Sequence, residues 1–388
     1  MKILITTECY LPVINGVVTS IVNLRKELQK MDHDVRILTL SAKNKSFQQD
    51  GIYYMSSLSI GKIYPGARIS LSTHHSFLEE ILEWKPDIIH SQCEFSTFRI
   101  AKHISKMLNI PILHTYHTVY EDYTHYFSPN HKWGKAMVAL FSKKILKHAA
   151  AIIAPTKKVH TLLHGYGIER PIHIVPTGIN LQQFSNAKEK HFIYDTYKIP
   201  SDHQLLLFVG RLAKEKNVEE ILTYFAQLSQ PKLSLLIVGD GPHRDYLQQY
   251  AQNLSIENQV FFTGLIEPND ISSYYQAADL FVSASNSETQ GLTYIEALAS
   301  GLPAICRKDP CIENVITNGV NGWQYDDFGD FKHAVDRLLG DPMLYQQFSN
   351  NARQGAIQNY SSKSFAEKME GIYIDTIASY YFKMEYIY

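Results

Sequence analysis

The sequence predicts an α/β protein built from two parallel-sheet domains. At 388 residues the chain is too long for one ordinary core and fits two. Short apolar runs alternate with amphipathic stretches along its whole length, which is the pattern of parallel strands covered by helices. Polar, glycine-bearing segments fall just after the apolar runs, where ligands bind in such sheets.

In the first half the expected strands are Ile3–Thr7, Val35–Leu40, Asp87–His90, Pro111–Thr115, Ala151–Ala154 and Ile172–Val175. Helices fit between them at Val17–Lys30 and Phe95–Leu108. In the second half the strands read Leu205–Val209, Ser234–Val238, Val260–Thr263, Leu280–Ser283 and Ala304–Cys306. Val218–Gln227 and Gln290–Ala299 read as helices there. After Gly178 the chain turns polar and loses apolar periodicity. The hinge is therefore expected near residues 178–190, with domains 1–180 and 181–364. No internal repeat appears. The tyrosine-rich end, Gly371 to Tyr388, reads as a packed aromatic helix in preference to a membrane anchor.

Composition narrows the class. A hydrophobic content of 45% with 19% charged residues belongs to a soluble globular protein. No run of about 18 apolar residues is available to span a bilayer. The first residues, Met1 to Glu8, read as a strand meeting an acid and lack the pattern of a signal peptide. Cys9, Cys93, Cys306 and Cys311 have no metal-ligand spacing, and free thiols in a reducing cytoplasm are the simplest account. A net charge of −1 conceals an asymmetry: residues 1–180 hold 21 basic and 13 acidic residues, the remainder 16 and 25. The basic half invites an anionic surface as partner.

The most informative segment is Ser287-Glu288-Thr289-Gln290-Gly291-Leu292-Thr293-Tyr294-Ile295-Glu296. Two glutamates flank a glycine-centred turn that opens a helix. Amides left free at a helix start favour anions, and carboxylates accept from sugar hydroxyls. The combination suits a nucleotide-sugar. Upstream, Val209-Gly210-Arg211-Leu212-Ala213-Lys214-Glu215-Lys216 follows a strand and precedes a helix. Arg211 and Lys216 on that loop would offset a diphosphate and stabilise it as it leaves. A solvated charged loop is the plain reading of that pair alone, and the glutamates downstream weigh against it.

Together with Gly16, His117-Thr118, Pro176-Thr177-Gly178, Gly239-Asp240-Gly241-Pro242, Gly264 and Gly301-Leu302-Pro303, these segments resemble the retaining GT-B glycosyltransferases of glycosyltransferase family 4. The resemblance covers nearly the whole length. It implies two Rossmann-like domains facing a central cleft, with the last helix, from about residue 365, packed back on the first domain. It implies that Glu296 holds the donor ribose and Glu288 the transferred sugar. The amides of Thr289, Gln290, Gly291 and Leu292 would cradle sugar and phosphate, and Gly264 with Ile266 would lie near the nucleobase. Gly16 would let the first-domain loop approach the donor. His117 would lie beside the transferred sugar; His114 competes for that role but falls inside a strand. The catalytic set is then His117, Arg211, Lys216 and Glu288. Thr177, where the family commonly has Asn, and Glu8, where Asp is common, depart from the pattern.

The implied reaction moves a hexose from a nucleoside diphosphate sugar with retention, by front-face displacement. No carboxylate is placed as a covalent nucleophile, unlike the acid pair of retaining glycosidases. No metal motif is apparent and no cofactor is required beyond the UDP-sugar donor; stimulation by a divalent ion stays open.

For the acceptor, residues 123 to 168 hold seven lysines and no acid. From His131 to His148 the period is helical, with Trp133, Met137, Leu140, Phe141 and Ile145 expected on one face. Lys132, Lys135, Lys143 and Lys147 are expected opposite, with Lys144 at the edge. A basic amphipathic helix reads as membrane-surface binding, against the plainer reading of a helix covering the sheet. The loop Tyr116 to Tyr126, with Tyr120 and Tyr123, and the first loop Pro12 to Ser20 resemble the branch of the family that glycosylates diacylglycerol. The expected protein is thus a peripheral enzyme at the inner face of the cell membrane. Its partners are UDP-glucose, a diacylglycerol-type lipid and an anionic surface, with no nucleic acid. A same-fold enzyme with a soluble or polyprenyl-linked acceptor comes second. A non-catalytic nucleotide-sugar-binding protein comes third. A dinucleotide-dependent dehydrogenase ranks last, because no Gly-x-Gly-x-x-Gly follows the first strand.

Overall fold

The computed structural model describes residues 1–13, 15–43, 45–59, 68–70, 76–121, 131–185, 191–285 and 288–385. The chain divides into two compact units, Met1–Gly178 with Ser362–Tyr388, and Ile179–Ser361.

The first unit runs β1 (Lys2–Thr7), α1 (Gly16–Lys30), β2 (Asp34–Leu40), β3 (Phe47–Gln49), β4 (Ile52–Met55), β5 (Leu58–Ser59), β6 (Arg68–Ile69), α2 (Ser76–Trp84), β7 (Ile88–Ser91), α3 (Ser96–Leu108), β8 (Ile112–Thr115), α4 (His131–Leu146), β9 (Ala151–Ala154), α5 (Lys157–Gly165) and β10 (Ile172–Ile174). Its main sheet has the order β10-β9-β8-β7-β1-β2-β4-β3. Every pairing is parallel except β3 with β4. Strand order reverses between β1 and β7, so the loops after those two strands diverge there and leave a crevice. Alternation along β1 sends Ile3 and Ile5 to one core layer and Leu4 to the other.

The second unit runs α6 (Gln182–Ser185), α7 (His191–Tyr197), β11 (Gln204–Val209), α8 (Val218–Leu228), β12 (Leu233–Val238), α9 (Arg244–Asn253), β13 (Val260–Gly264), α10 (Ile271–Ala277), β14 (Leu280–Ser283), α11 (Leu292–Ala299), β15 (Ala304–Arg307), β16 (Gly322–Tyr325), α12 (Phe328–Gly340) and α13 (Pro342–Asn359). The sheet order β13-β12-β11-β14-β15-β16 is the doubly wound arrangement, with its switch point between β11 and β14. Leu205 and Leu207 face one core layer, Leu206 and Phe208 the other. Such strands are buried on both faces, which is why they read as continuous apolar runs.

The last helix, α14 (Ser362–Glu385), belongs to the first unit. Its Tyr373 is fully buried and its hydroxyl lies 2.7 Å from Nδ1 of His90, whose Nε2 lies 2.7 Å from Thr115 Oγ1. Burial drives the His90 pKa well below its usual value, so the imidazole is neutral. Tyr373 packs as the aromatic end was expected to, whereas Tyr381 and Phe382 of the same helix are exposed by 41% and 61%.

Strands β3, β4, β5, β6 and β16 lie outside the sequence-level expectation. β3 is short and polar, and β16 opens on a glycine and carries Gln324, so neither shows an apolar run. The helix expected at Gln290–Ala299 starts two residues later, at Leu292. Thr289 and Gln290 therefore sit in the loop before it.

Candidate active site

In the second unit both candidate loops flank the switch point. The loop after β11 is held by its neighbour: Gly210 N–H donates to Val238 O at 3.0 Å, and Leu212 N–H to Asp240 O at 2.9 Å. Arg211 is thus fixed between two backbone bonds. The close approach requires Gly239, where a Cβ would meet Gly210 O at 2.0 Å. Lys216 ends a single 3-10 turn, Lys214–Lys216, and its amide donates to Ala213 O at 2.9 Å.

Lys216 Nζ lies 2.5 Å from Glu288 Oε1, with both side chains mostly buried. The contact joins the loops after β11 and β14 and brings together two residues that lie 72 positions apart. Past Glu288 the chain turns at Gly291, which caps α11 in the left-handed region at φ 70° and supplies no capping side chain. A Cβ there would lie 2.6 Å from Tyr294 Cδ2. Tyr294 is held in place by Ser283, hydroxyl to hydroxyl at 2.7 Å. The first-turn amides of α11 point towards the same loop, as helix geometry requires.

Glu296 lies in the second turn of α11. Its Oε2 accepts from the Tyr275 hydroxyl at 2.7 Å. Burial pushes its pKa up to about 7, with the tyrosine bond opposing. A carboxylate held dry with one donor is suited to accept from further hydroxyls. Gly264 ends β13 and its carbonyl accepts from Gly239 N–H at 3.0 Å; Ile266, just beyond, packs on the core. The structure thus gathers Arg211, Lys216, Gly264, Ile266, Glu288, Thr289, Gln290, Gly291, Leu292 and Glu296 along the carboxyl edge of one sheet.

In the first unit Gly16 is the first residue of α1, behind the Asn15 cap whose side chain accepts from Val18 N–H at 2.9 Å. His117 lies two residues past β8, with Nε2 2.6 Å from Gln92 Oε1. Burial, and then His114, lower its pKa to about 3, so it is neutral. His114 is inside β8, fully buried, with Nε2 3.2 Å from Glu94 Oε1. The Tyr120 hydroxyl donates to Glu94 Oε2 at 2.5 Å. Gln92 and Glu94, on the loop after β7, were not among the sequence-level candidates. Their partners lie 20 to 26 residues away, and no local pattern marks them. Tyr123 and the side chain of Lys132 fall outside the described residues.

Helix α4 corrects an expectation. It buries Gly134, Val138, Ser142 and Leu146, spaced four apart, and exposes Trp133 by 71%, Met137 by 57% and Leu140 by 70%. Phe141 and Ile145 are half-buried at the edge, Phe141 stacked on Phe95 at 5.6 Å. The large apolar stripe therefore faces solvent beside exposed Lys143, Lys144 and Lys147. Lys135 pairs with Glu121 at 2.8 Å. Two apolar stripes compete on this helix, and the one made of smaller residues packs on the body. No helix among the described residues is long and apolar enough to cross a membrane. Among them, too, no group of three or more His, Cys, Asp or Glu is arranged to hold a metal ion.

Residues 14–183 match the model of Glycosyltransferase Family 4, and residues 189–355 that of Glycosyl transferases group 1. An alpha-monoglucosyldiacylglycerol synthase of Streptococcus pneumoniae is 34% identical over 99% of this chain and 88% of its own. The chain belongs to glycosyltransferase family 4. A second alpha-monoglucosyldiacylglycerol synthase, from Acholeplasma laidlawii, is 30% identical over 97% of this family member and 98% of its own length. The sucrose-phosphate synthase of Thermosynechococcus elongatus superposes with a TM-score of 0.77 at 20% identity, covering 97% of this chain and 99% of that one. The fold of this family-4 member is GT-B, two Rossmann-like domains.

Proposed function

We propose that this protein transfers glucose from UDP-glucose, with retention, onto diacylglycerol at the surface of an anionic membrane. The observation that carries the reading is the Lys216–Glu288 pair, with Arg211 on the same loop as Lys216 and Glu288 just before the α11 N-terminus, in a chain that is 34% and 30% identical to two monoglucosyldiacylglycerol synthases over nearly its whole length. Lys216 and Arg211 supply fixed positive charge for the diphosphate as its bond to the sugar breaks. Glu288 accepts from the sugar hydroxyls and Glu296 from the ribose. The acceptor hydroxyl forms the new bond at the anomeric carbon, on the face the diphosphate leaves. Its proton passes to the departing phosphate oxygen. His117, neutral, can bond a substrate hydroxyl without adding charge.

The exposed stripe of α4 supports a peripheral position on the cytoplasmic leaflet. Trp133, Met137 and Leu140 would enter the interface, and Lys143, Lys144 and Lys147 would meet anionic headgroups.

Radiolabelled UDP-glucose with mixed anionic vesicles containing diacylglycerol tests the reading. A labelled lipid yielding glucosylglycerol on alkaline deacylation establishes donor and acceptor together. Donor hydrolysis without a lipid product discards diacylglycerol. Silence on both counts sends the search to UDP-galactose and then to a binding role.

A further inference from the structure

The loop after β7 lies at the switch point of the first unit, where the strand order reverses between β7 and β1. Gln92 on it is 3% exposed. Its Oε1 meets Nε2 of His117 at 2.6 Å. An amide oxygen only accepts, so the proton of the neutral imidazole sits on Nε2 and Nδ1 is left as an acceptor. The amide nitrogen of Gln92 is buried with no hydrogen-bond partner among the described residues. So are Nδ1 of His114 and Oε2 of Glu8.

A buried unmatched donor costs about 1–3 kcal/mol, and a hydrophobic residue would avoid that cost. The donor of Gln92 and the unmatched His114 Nδ1 and Glu8 Oε2 belong to, or directly follow, the adjacent strands β7, β8 and β1, and a hydroxyl group, which gives one hydrogen bond and accepts others, can answer both kinds of atom. An anion would meet the carboxyls of Glu8 and Glu94, and an apolar group would satisfy neither set. The ligand chemistry is therefore a neutral hydroxyl, of a sugar or of glycerol.

We propose that Gln92 has two tasks: its Oε1 fixes the tautomer and orientation of His117, and its Nε2 donates to a substrate hydroxyl oxygen. The proposal rests on the glycosyl-transfer reading for its substrate half only.

The test pairs Gln92→Met, which removes both groups at nearly constant shape, with Gln92→Glu, which keeps the acceptor for His117 and removes the donor. Thermal unfolding checks that each variant is folded. Long-range proton–nitrogen correlations, with His117→Gln as the assignment control, read the tautomer. The wild type should show the Nε2–H form, Gln92→Glu should keep that hydrogen on Nε2, and Gln92→Met should lose the single tautomer. An Nδ1–H wild type overturns the positioning half whatever the activity. Kinetically, both variants should lose about tenfold or more in kcat/KM, the worth of one hydrogen bond. A loss shared by donor hydrolysis assigns the hydroxyl to the hexose. A loss confined to lipid transfer, with a raised KM for diacylglycerol, assigns it to the glycerol. A folded Gln92→Met with both activities within about twofold of wild type overturns the substrate half. A wild type that neither transfers nor hydrolyses removes the glycosyl-transfer reading and that half with it, while the tautomer still decides the other.

Discussion

The Lys216 ammonium lies 2.5 Å from the Glu288 carboxylate, so the residue suited to a diphosphate and the residue suited to a sugar are each other's partner in the free protein. A bound donor must share or displace that contact. Glu288→Gln removes the competitor for the lysine. Isothermal titration with UDP alone should then show binding as tight as wild type or tighter by a few-fold, while glucosyl transfer falls by about a hundredfold or more. Weaker UDP binding in a folded Glu288→Gln would count against the shared-lysine account.

Arg211→Ala removes charge stabilisation from the departing diphosphate. Because that charge grows in the transition state, kcat should fall by roughly a hundred- to a thousandfold, with a smaller effect on donor KM. Steady-state kinetics at saturating acceptor separates the two. An effect on KM alone would mean that Arg211 binds ground state and transition state equally.

Glu296 gives a pH dependence with a defined sign. Its carboxyl is raised from 4.5 to about 7 in the folded chain. Below about pH 4.5 both states hold the proton; between there and pH 7 only the folded one does. The free protein should therefore lose stability as pH rises through this window, by about 3 kcal/mol in full. Glu296→Gln should flatten that loss, as urea unfolding at pH 5 and pH 8 would show. Ribose hydroxyls favour the ionised acceptor, so donor KM should fall as pH rises past 7, and a pH-independent KM would contradict that role.

Helix α4 predicts a separable membrane term. Replacing Lys143, Lys144 and Lys147 by Glu should lower partition onto anionic vesicles by about a hundredfold or more at low salt, at about 1 kcal/mol per lysine. Trp133→Ser with Leu140→Ser should weaken it on neutral and anionic vesicles alike. Donor hydrolysis should be untouched in both sets. Equal loss of sedimentation and hydrolysis would indicate misfolding.

Gly291→Ala should destabilise the second unit by roughly 1–3 kcal/mol, since the new Cβ meets Tyr294 and the backbone is left-handed. Differential scanning calorimetry measures it. No change in unfolding temperature would imply that the turn relaxes.

Most of the strand positions and the donor edge were legible because parallel strands buried on both faces read as apolar runs, and their loops follow at once; the order of the strands in each sheet was not. Arg211, Lys216, Glu288 and Glu296 could be named on that ground. The faces of α4 were not legible: Trp133-Met137-Leu140 and Gly134-Val138-Ser142-Leu146 share the helical period. Size alone favoured burying the first stripe, and the sheet beneath takes the second. Gln92 and Glu94 were hidden for another reason. A hydrogen bond between residues 25 positions apart leaves no periodicity to read.

Tyr373 of α14 completes the core around His90, although the intervening residues 179–361 form the other unit. Synthesis therefore makes most of the first unit at the start and finishes it only after residues 362–385 have emerged from the ribosome. Until then the His90 imidazole lacks its phenol and the α1 face lies open, so the nascent chain must wait through its second unit with its first one unfinished. Chaperone demand during translation follows from that order of events.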